Sequence, residues 1–187
     1  MTKRMSNQSA IKLSKAWVEQ VVVQHQLCPF AKHPFQNRQI RFVEVQEVDI
    51  VAIIDQFEKE VKILLAAKAS EIETTLLIVS KALSNFLEYL DFLQYLESLI
   101  MENNWEGIIQ VASFHPAYQF AGTEAEAAEN YTNRSPFPMI HLLREESVEK
   151  AALSHPDIDS VPVRNIAYME EKGRNYWVQI LENLGKE

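Results

Sequence analysis

A single cysteine, Cys28, stands in a chain of 187 residues. One thiol cannot close an intrachain disulfide, so the fold must hold without a covalent staple, and the chain reads as a protein of a reducing, cytoplasmic compartment. Glycine is also scarce, with four residues. Backbone phosphate cradles need closely spaced glycines, and no GxGxxG, P-loop or GxSxG pattern occurs. No CxxC, HxH or HExxH spacing offers a preassembled metal-ligand set. Long apolar runs are missing too. The longest, Thr74 to Val79, is strand-sized and far short of the roughly 20 residues that cross a bilayer, and the first ten residues lack the apolar stretch of a signal peptide. Basic residues are outnumbered, 18 against 26 acidic ones, for a net charge of -8. A nucleic-acid binder needs a concentrated basic surface to neutralise phosphates. The expected partners therefore include neither nucleic acid nor membrane.

What remains is ordinary globular material. The hydrophobic fraction is 47% and the charged fraction 24%, enough for a core without metal or disulfide. Residues 1–8 read as a disordered tail and residues 9–187 as one domain. Helical spacing runs from Ser9, a candidate N-cap, to Gln26 and must stop before Pro29. Residues 31–39 read as a loop. Strands are predicted over Ile40–Glu47, Thr74–Ser80, Gly107–Phe114 and Met139–Arg144. Helices are predicted after caps at Asp49, Ser84 and Ser147, with a capping box at Thr123–Glu126, a helix from Pro162 to Lys172, a break at Gly173 and a last helical stretch to Leu184. Strands separated by long helices suggest right-handed βαβ units. The direction of the fourth strand stays open. The expected fold is α/β (α+β), a single mixed sheet of about four strands covered by helices.

Three segments carry chemistry-bearing side chains. In Ser113-Phe114-His115-Pro116-Ala117-Tyr118, a histidine follows the third strand, where ligands collect in sheets with crossovers, and its ordinary pKa lies near neutrality. In Asn130-Tyr131-Thr132-Asn133-Arg134-Ser135-Pro136-Phe137-Pro138, the arginine offers a planar fork for carboxylate or phosphate. Asn133 and Ser135 either orient a ligand or close side-chain turns. In His141-Leu142-Leu143-Arg144, alternation puts His141 and Arg144 on opposite faces of a strand. His141 reads as a hydrogen-bonded core residue or as a catalytic one. Cys28 is the sole candidate thiol nucleophile. Its expected place, at or just past a helix C-terminus, sets it beside partial negative charge that disfavours a thiolate.

The segments Cys28-Pro29-Phe30-Ala31, Phe114-His115-Pro116 with Tyr118 and Phe120, Thr132-Asn133-Arg134-Ser135-Pro136 and His141-Leu142-Leu143-Arg144-Glu145 resemble, together, the bacterial and plant family called domain of unknown function 1415. The resemblance spans nearly the whole chain. It implies a family of small cytosolic proteins, and it implies no substrate, cofactor or catalytic role.

Three readings follow. One is an enzyme acting on a small anionic metabolite, with His115, His141 or Cys28 catalytic and Asn133, Arg134, Ser135, Arg144 and Tyr118 binding the ligand. A second is a non-catalytic interaction module that presents Tyr118, Phe120 and Phe137. A third is a metal site built from His115, His141 and Cys28. The cofactor and the oligomeric state stay open.

Overall fold

Thr74–Val79 is β-branched or leucine at every position, and every residue of it is buried. Such a run fits a strand covered on both faces. In the computed structural model, which describes residues 9–155 and 157–186, it is an interior strand of a four-stranded sheet. The strands are β1 (Ile40–Val45), β2 (Thr74–Val79), β3 (Ile109–Phe114) and β4 (Met139–Arg144), in the spatial order β1-β2-β4-β3. The sheet is mixed. β1 and β2 are parallel, and β4 lies antiparallel between β2 and β3, with His141 opposite Leu76 on one side and Ala112 on the other. The direction of β4 has a simple cause. The loop of residues 115–138 returns the chain to the end of the sheet where β3 finished, so Met139 starts beside Phe114 and β4 must run backwards. The expected tail, residues 1–8, lies outside the described residues.

The pleat of β2 and β4 feeds two cores. Leu77, Val79, Ile140 and Leu142 face α3 (Ile50–Ala66) and α4 (Phe86–Glu102). Leu76, Ile78 and Met139 face the opposite way, onto Trp17 and Val21 and the C-terminal residues Met169 and Trp177. Each fully buried leucine, isoleucine or phenylalanine contributes roughly 1.5–3 kcal/mol relative to leaving it in water. The edge strand β1 carries the fold's best-made ion pair. Glu60 has no side-chain exposure, and it accepts from Arg41 Nε at 2.6 Å, Arg41 Nη2 at 3.1 Å and Gln56 Nε2 at 2.9 Å. This forked geometry offsets the cost of taking the carboxylate out of water.

Tyr89 of α4 bridges the helix to two strands. Its hydroxyl donates to Met139 O at 2.6 Å and accepts from Phe114 N at 3.2 Å, and burial pushes its pKa far up. Tyr89→Phe strands a buried carbonyl and a half-buried N–H. The expected loss of stability is about 1–2 kcal/mol in urea unfolding, and an unchanged midpoint would show that the two groups find other partners.

Several boundaries differ from the sequence reading, each for a local reason. The first helix is α only over α1 (Ala10–Trp17), and Val18–Val23 continues as π-helix. Bonds five residues apart, Gln24 N to Glu19 O at 2.9 Å and Leu27 N to Val22 O at 3.0 Å, carry that wider turn, where three consecutive valines crowd an α-helical one. The expected loop holds α2 (Lys32–Gln36), with Pro34 in its first turn, where a missing N–H costs little. Asn85, not Ser84, caps α4, accepting from Leu87 N and Glu88 N. Thr123 opens no helix. Its hydroxyl donates to Phe120 O and Asn130 Oδ1, and a short 3-10 turn, Ala128–Thr132, follows. The helix expected after Ser147 is α5 (Glu145–Ser154), which starts directly at the end of β4, with two glutamates favouring its first turn. Gly173, at φ 75, separates α6 (Val161–Lys172) from α7 (Arg174–Glu182), as the sequence predicts. Among the described residues, no helix is long and apolar enough to cross a membrane.

Candidate functional site

The loop segments that drew attention in the sequence sit at the carboxyl ends of β1, β2 and β3. There their polar groups are occupied by backbone. His115 is fully buried. Its Nε2 donates to Leu83 O at 3.0 Å, its Nδ1 accepts from Ala117 N at 3.0 Å, and its ring packs on Phe86 and Tyr89. Burial holds its pKa below the ordinary histidine value. Arg134 donates from Nε to Tyr118 O and from Nη2 to Ala125 O, and its guanidinium lies 4.5 Å from the centre of the Tyr131 ring. Asn133 donates to Ser113 O, and Ser135 to Phe137 O. Tyr118 packs against Phe86 and Phe120, and Phe137 against the second core.

The residue that organises this loop is one the sequence reading did not single out. Asn130 is fully buried. It accepts from Phe120 N and Thr123 Oγ1 and donates to Glu124 O and Ala125 O. Trp17 of α1 ties the same loop to the helix layer by donating to Arg134 O at 2.9 Å. A buried asparagine within a 3-10 turn has no periodicity signature, so the sequence shows it only as one polar residue of a polar segment.

A cavity of about 600 Å³ lies elsewhere, against the sheet face shared with α1, towards the amino-terminal ends of β1 and β2. This volume falls within the range of roughly 300–1,000 Å³ usual for small-molecule sites. Its walls are mostly apolar: Trp17, Val18 and Val22 from the first helix, Leu76 and Phe114 from the sheet, Val148 from α5. The π-helical segment thus supplies part of the wall, which fits the habit of such segments of lying at functional sites. His33 and Ser70 line the cavity and are exposed, which places them at its mouth. Three of the candidate residues, Cys28, His141 and Arg144, line this space. His115, Asn133, Arg134, Ser135 and Tyr118 do not. The structure therefore divides the sequence candidates into two groups at different places.

His141 lies on the cavity side of β4. Its Nε2 is 2.7 Å from Thr74 Oγ1, which is itself 2.5 Å from Leu142 O. A carbonyl can only accept, so the single hydroxyl proton of Thr74 goes to Leu142 O. Nε2 must then donate to Thr74, and Nδ1 carries the free lone pair. Burial holds the pKa of His141 down at about 4, so the ring is neutral at physiological pH. Arg144, on the other pleat, is engaged through two of its three nitrogens. Its Nε and Nη2 donate to the carbonyls of Leu64, Ala67 and Ile72, at the C-terminus of α3 and just beyond it.

Cys28 is half-buried and free. The sequence places it beside a helix C-terminus, but the chain turns between Gln24 and Cys28 and begins a new turn there, with Ala31 N bonded to Cys28 O. The thiol therefore meets donors and not acceptors. The N–H groups of Phe30 and Ala31 bond towards Sγ and pull its pKa down, while burial, the larger effect, pushes it up. The net result is a thiol harder to ionise than an ordinary cysteine.

Among the described residues, no group of three or more histidine, cysteine, aspartate or glutamate side chains could hold a metal ion. This overturns the metal site expected from His115, His141 and Cys28. The physical reason is the topology: the ring nitrogens of His115 are used up in a backbone turn at one end of the sheet, while the other two residues line a cavity towards the opposite end.

No curated protein and no solved structure matches the chain. One family model does, over residues 9–179. That span includes the first core, all of the second except residues near its C-terminal end, the cavity and the engaged loop, and the chain belongs to the family described as a protein of unknown function, DUF1415.

Proposed function

We propose that this protein binds a small, largely apolar molecule in the cavity between α1, β4 and α5. The observation that carries this reading is an apolar-walled space of about 600 Å³ with one desolvated histidine on its wall, the combination of apolar walls and few oriented polar groups that marks ligand sites. The two arginines expected from sequence to hold an anion, Arg134 and Arg144, both donate to backbone carbonyls, which favours an uncharged ligand over an anionic metabolite. The sole cysteine lines the cavity and reports on it. Nile red, a neutral apolar dye, should brighten on binding and should slow alkylation of Cys28 by a maleimide about tenfold when saturating. Ala151→Trp, which places an indole on the α5 wall, should abolish both effects. Dye binding that leaves Cys28 alkylation unchanged would place the dye elsewhere and sink the reading.

A second reading, thiol catalysis, is favoured by one observation: two backbone N–H groups bond towards Cys28 Sγ in a cavity shared with His141. The pH dependence of alkylation separates the two. Burial raises the Cys28 pKa, so the expected rate keeps climbing beyond the pH of about 8.5 where an ordinary thiol is half ionised. A midpoint below about 7 would mark an activated nucleophile and favour catalysis.

A further inference from the structure

The polar chemistry of the cavity is lopsided. The proton relay from His141 through Thr74 to Leu142 O fixes the tautomer and leaves Nδ1 as an acceptor. Among the described residues, Nδ1 has no protein partner. The fully enclosed side-chain atoms without a partner are on Ser14, Thr75 and His155. Nδ1 of His141 is not among them, so it is open to a space, and the cavity is the space that His141 lines. Glu73 adds a carboxylate to the same lining. Arg144, the lining arginine, has Nε and Nη2 turned to three carbonyls of and beyond α3.

We infer that the cavity selects an uncharged apolar ligand bearing a hydroxyl or N–H group, which donates its proton to Nδ1 of His141. This rests on the reading of the cavity as a ligand site and adds the class of ligand. A carboxylate or an ether oxygen would set one lone pair against another at Nδ1, whereas an alcohol, phenol or amide N–H completes the relay. His141 then acts as a specificity-determining residue, and Thr74 as the group that positions it. The relay cannot reverse without breaking the Thr74–Leu142 bond, so the site has no alternative tautomer with which to accommodate an acceptor ligand.

The test uses matched probes that differ in one group: 4-pentylphenol, 4-pentylanisole and 4-pentylbenzoate. Binding to the full-length protein is measured by calorimetry and by protection of Cys28 from maleimide. One hydrogen bond is worth about tenfold in affinity, so the phenol should bind about tenfold more tightly than the anisole, and the benzoate most weakly. His141→Phe should remove the preference while retaining the anisole. Equal binding of phenol and anisole by the wild-type protein, or tightest binding of the benzoate, would overturn the donor requirement while leaving the apolar site intact. Failure of all three to bind or to protect Cys28 would overturn the cavity reading beneath it. The wild-type comparison decides the matter even where His141→Phe does not fold.

Discussion

Arg144→Leu should lower the melting temperature by roughly 10 °C. The residue stands at the junction of β4 and α5, and its guanidinium reaches back to the far end of α3. Nη2 lies 2.6 Å from Leu64 O, 2.8 Å from Ala67 O and 3.0 Å from Ile72 O, and Nε lies 3.3 Å from Ile72 O. A helix C-terminus leaves its last carbonyls without intrahelical partners and carries partial negative charge. One cation answers both needs. Stranding a buried carbonyl costs about 1–3 kcal/mol, and losing the charge at the helix end up to about 1 more. A total near 4 kcal/mol, at roughly 2–4 °C per kcal/mol for a chain of this size, gives the expected shift. Arg144→Lys should recover only part of it, because an ammonium lacks the planar fork. Scanning calorimetry of the two variants checks this. A shift under about 2 °C for the leucine variant would show that the carbonyls do not depend on Arg144 and would return its guanidinium to the pool of ligand-binding groups.

Acidification should cost the fold about 3 kcal/mol through His141 alone. Burial depresses its pKa in the folded protein from 6.5 to about 4. Between those values the unfolded chain binds a proton that the folded chain refuses, so stability falls as pH drops. The contribution is complete above about pH 6.5 and is lost progressively down to about pH 4, at about 1.36 kcal/mol for each pH unit. His25 and His115 are depressed in the same direction, mainly by burial, and steepen the same slope. His141→Gln, whose amide can still donate to Thr74, removes the titration and should flatten the profile between pH 6.5 and 4. The measurement is urea unfolding at half-unit pH intervals. Identical slopes in the two proteins would show that His141 is not shielded from solvent protons.

The legible part of this fold is the part written as periodicity. The unbroken apolar run of Thr74–Val79, the caps at Asp49 and Ser9 and the break at Gly173 each rest on a local rule, and each is in the structure. The spatial order of the strands was not legible, because β4 sits between β2 and β3 on account of where the loop of residues 115–138 ends. Polarity alone drew attention to a loop whose side chains bond to backbone. His115, Asn133 and Arg134 cluster in sequence because the loop needs many side-chain bonds to hold an irregular backbone. The cavity is assembled from residues as distant as Trp17, Cys28, Thr74 and His141; Cys28 and His141 stand out singly in the sequence, Trp17 and Thr74 read as ordinary core, and nothing in their spacing joins the four. His141 was visible as a polar residue among apolar neighbours, but its free nitrogen depends on Thr74, 67 positions away.

The place of β4 also sets an order of assembly. A chain emerging from the ribosome can pair β1 with β2 early, since both strands and α3 lie within residues 40–79. β3 follows in sequence but has no neighbour until residues 139–144 arrive and slot between it and β2. Until then two apolar strand edges face outward, the state in which nascent chains depend most on chaperones. Closure of the sheet must await a contact spanning 67 positions, a separation that slows folding. The strand that closes the sheet also brings His141 to the cavity wall, so the cavity cannot form before residues 139–144 have joined β2 to β3.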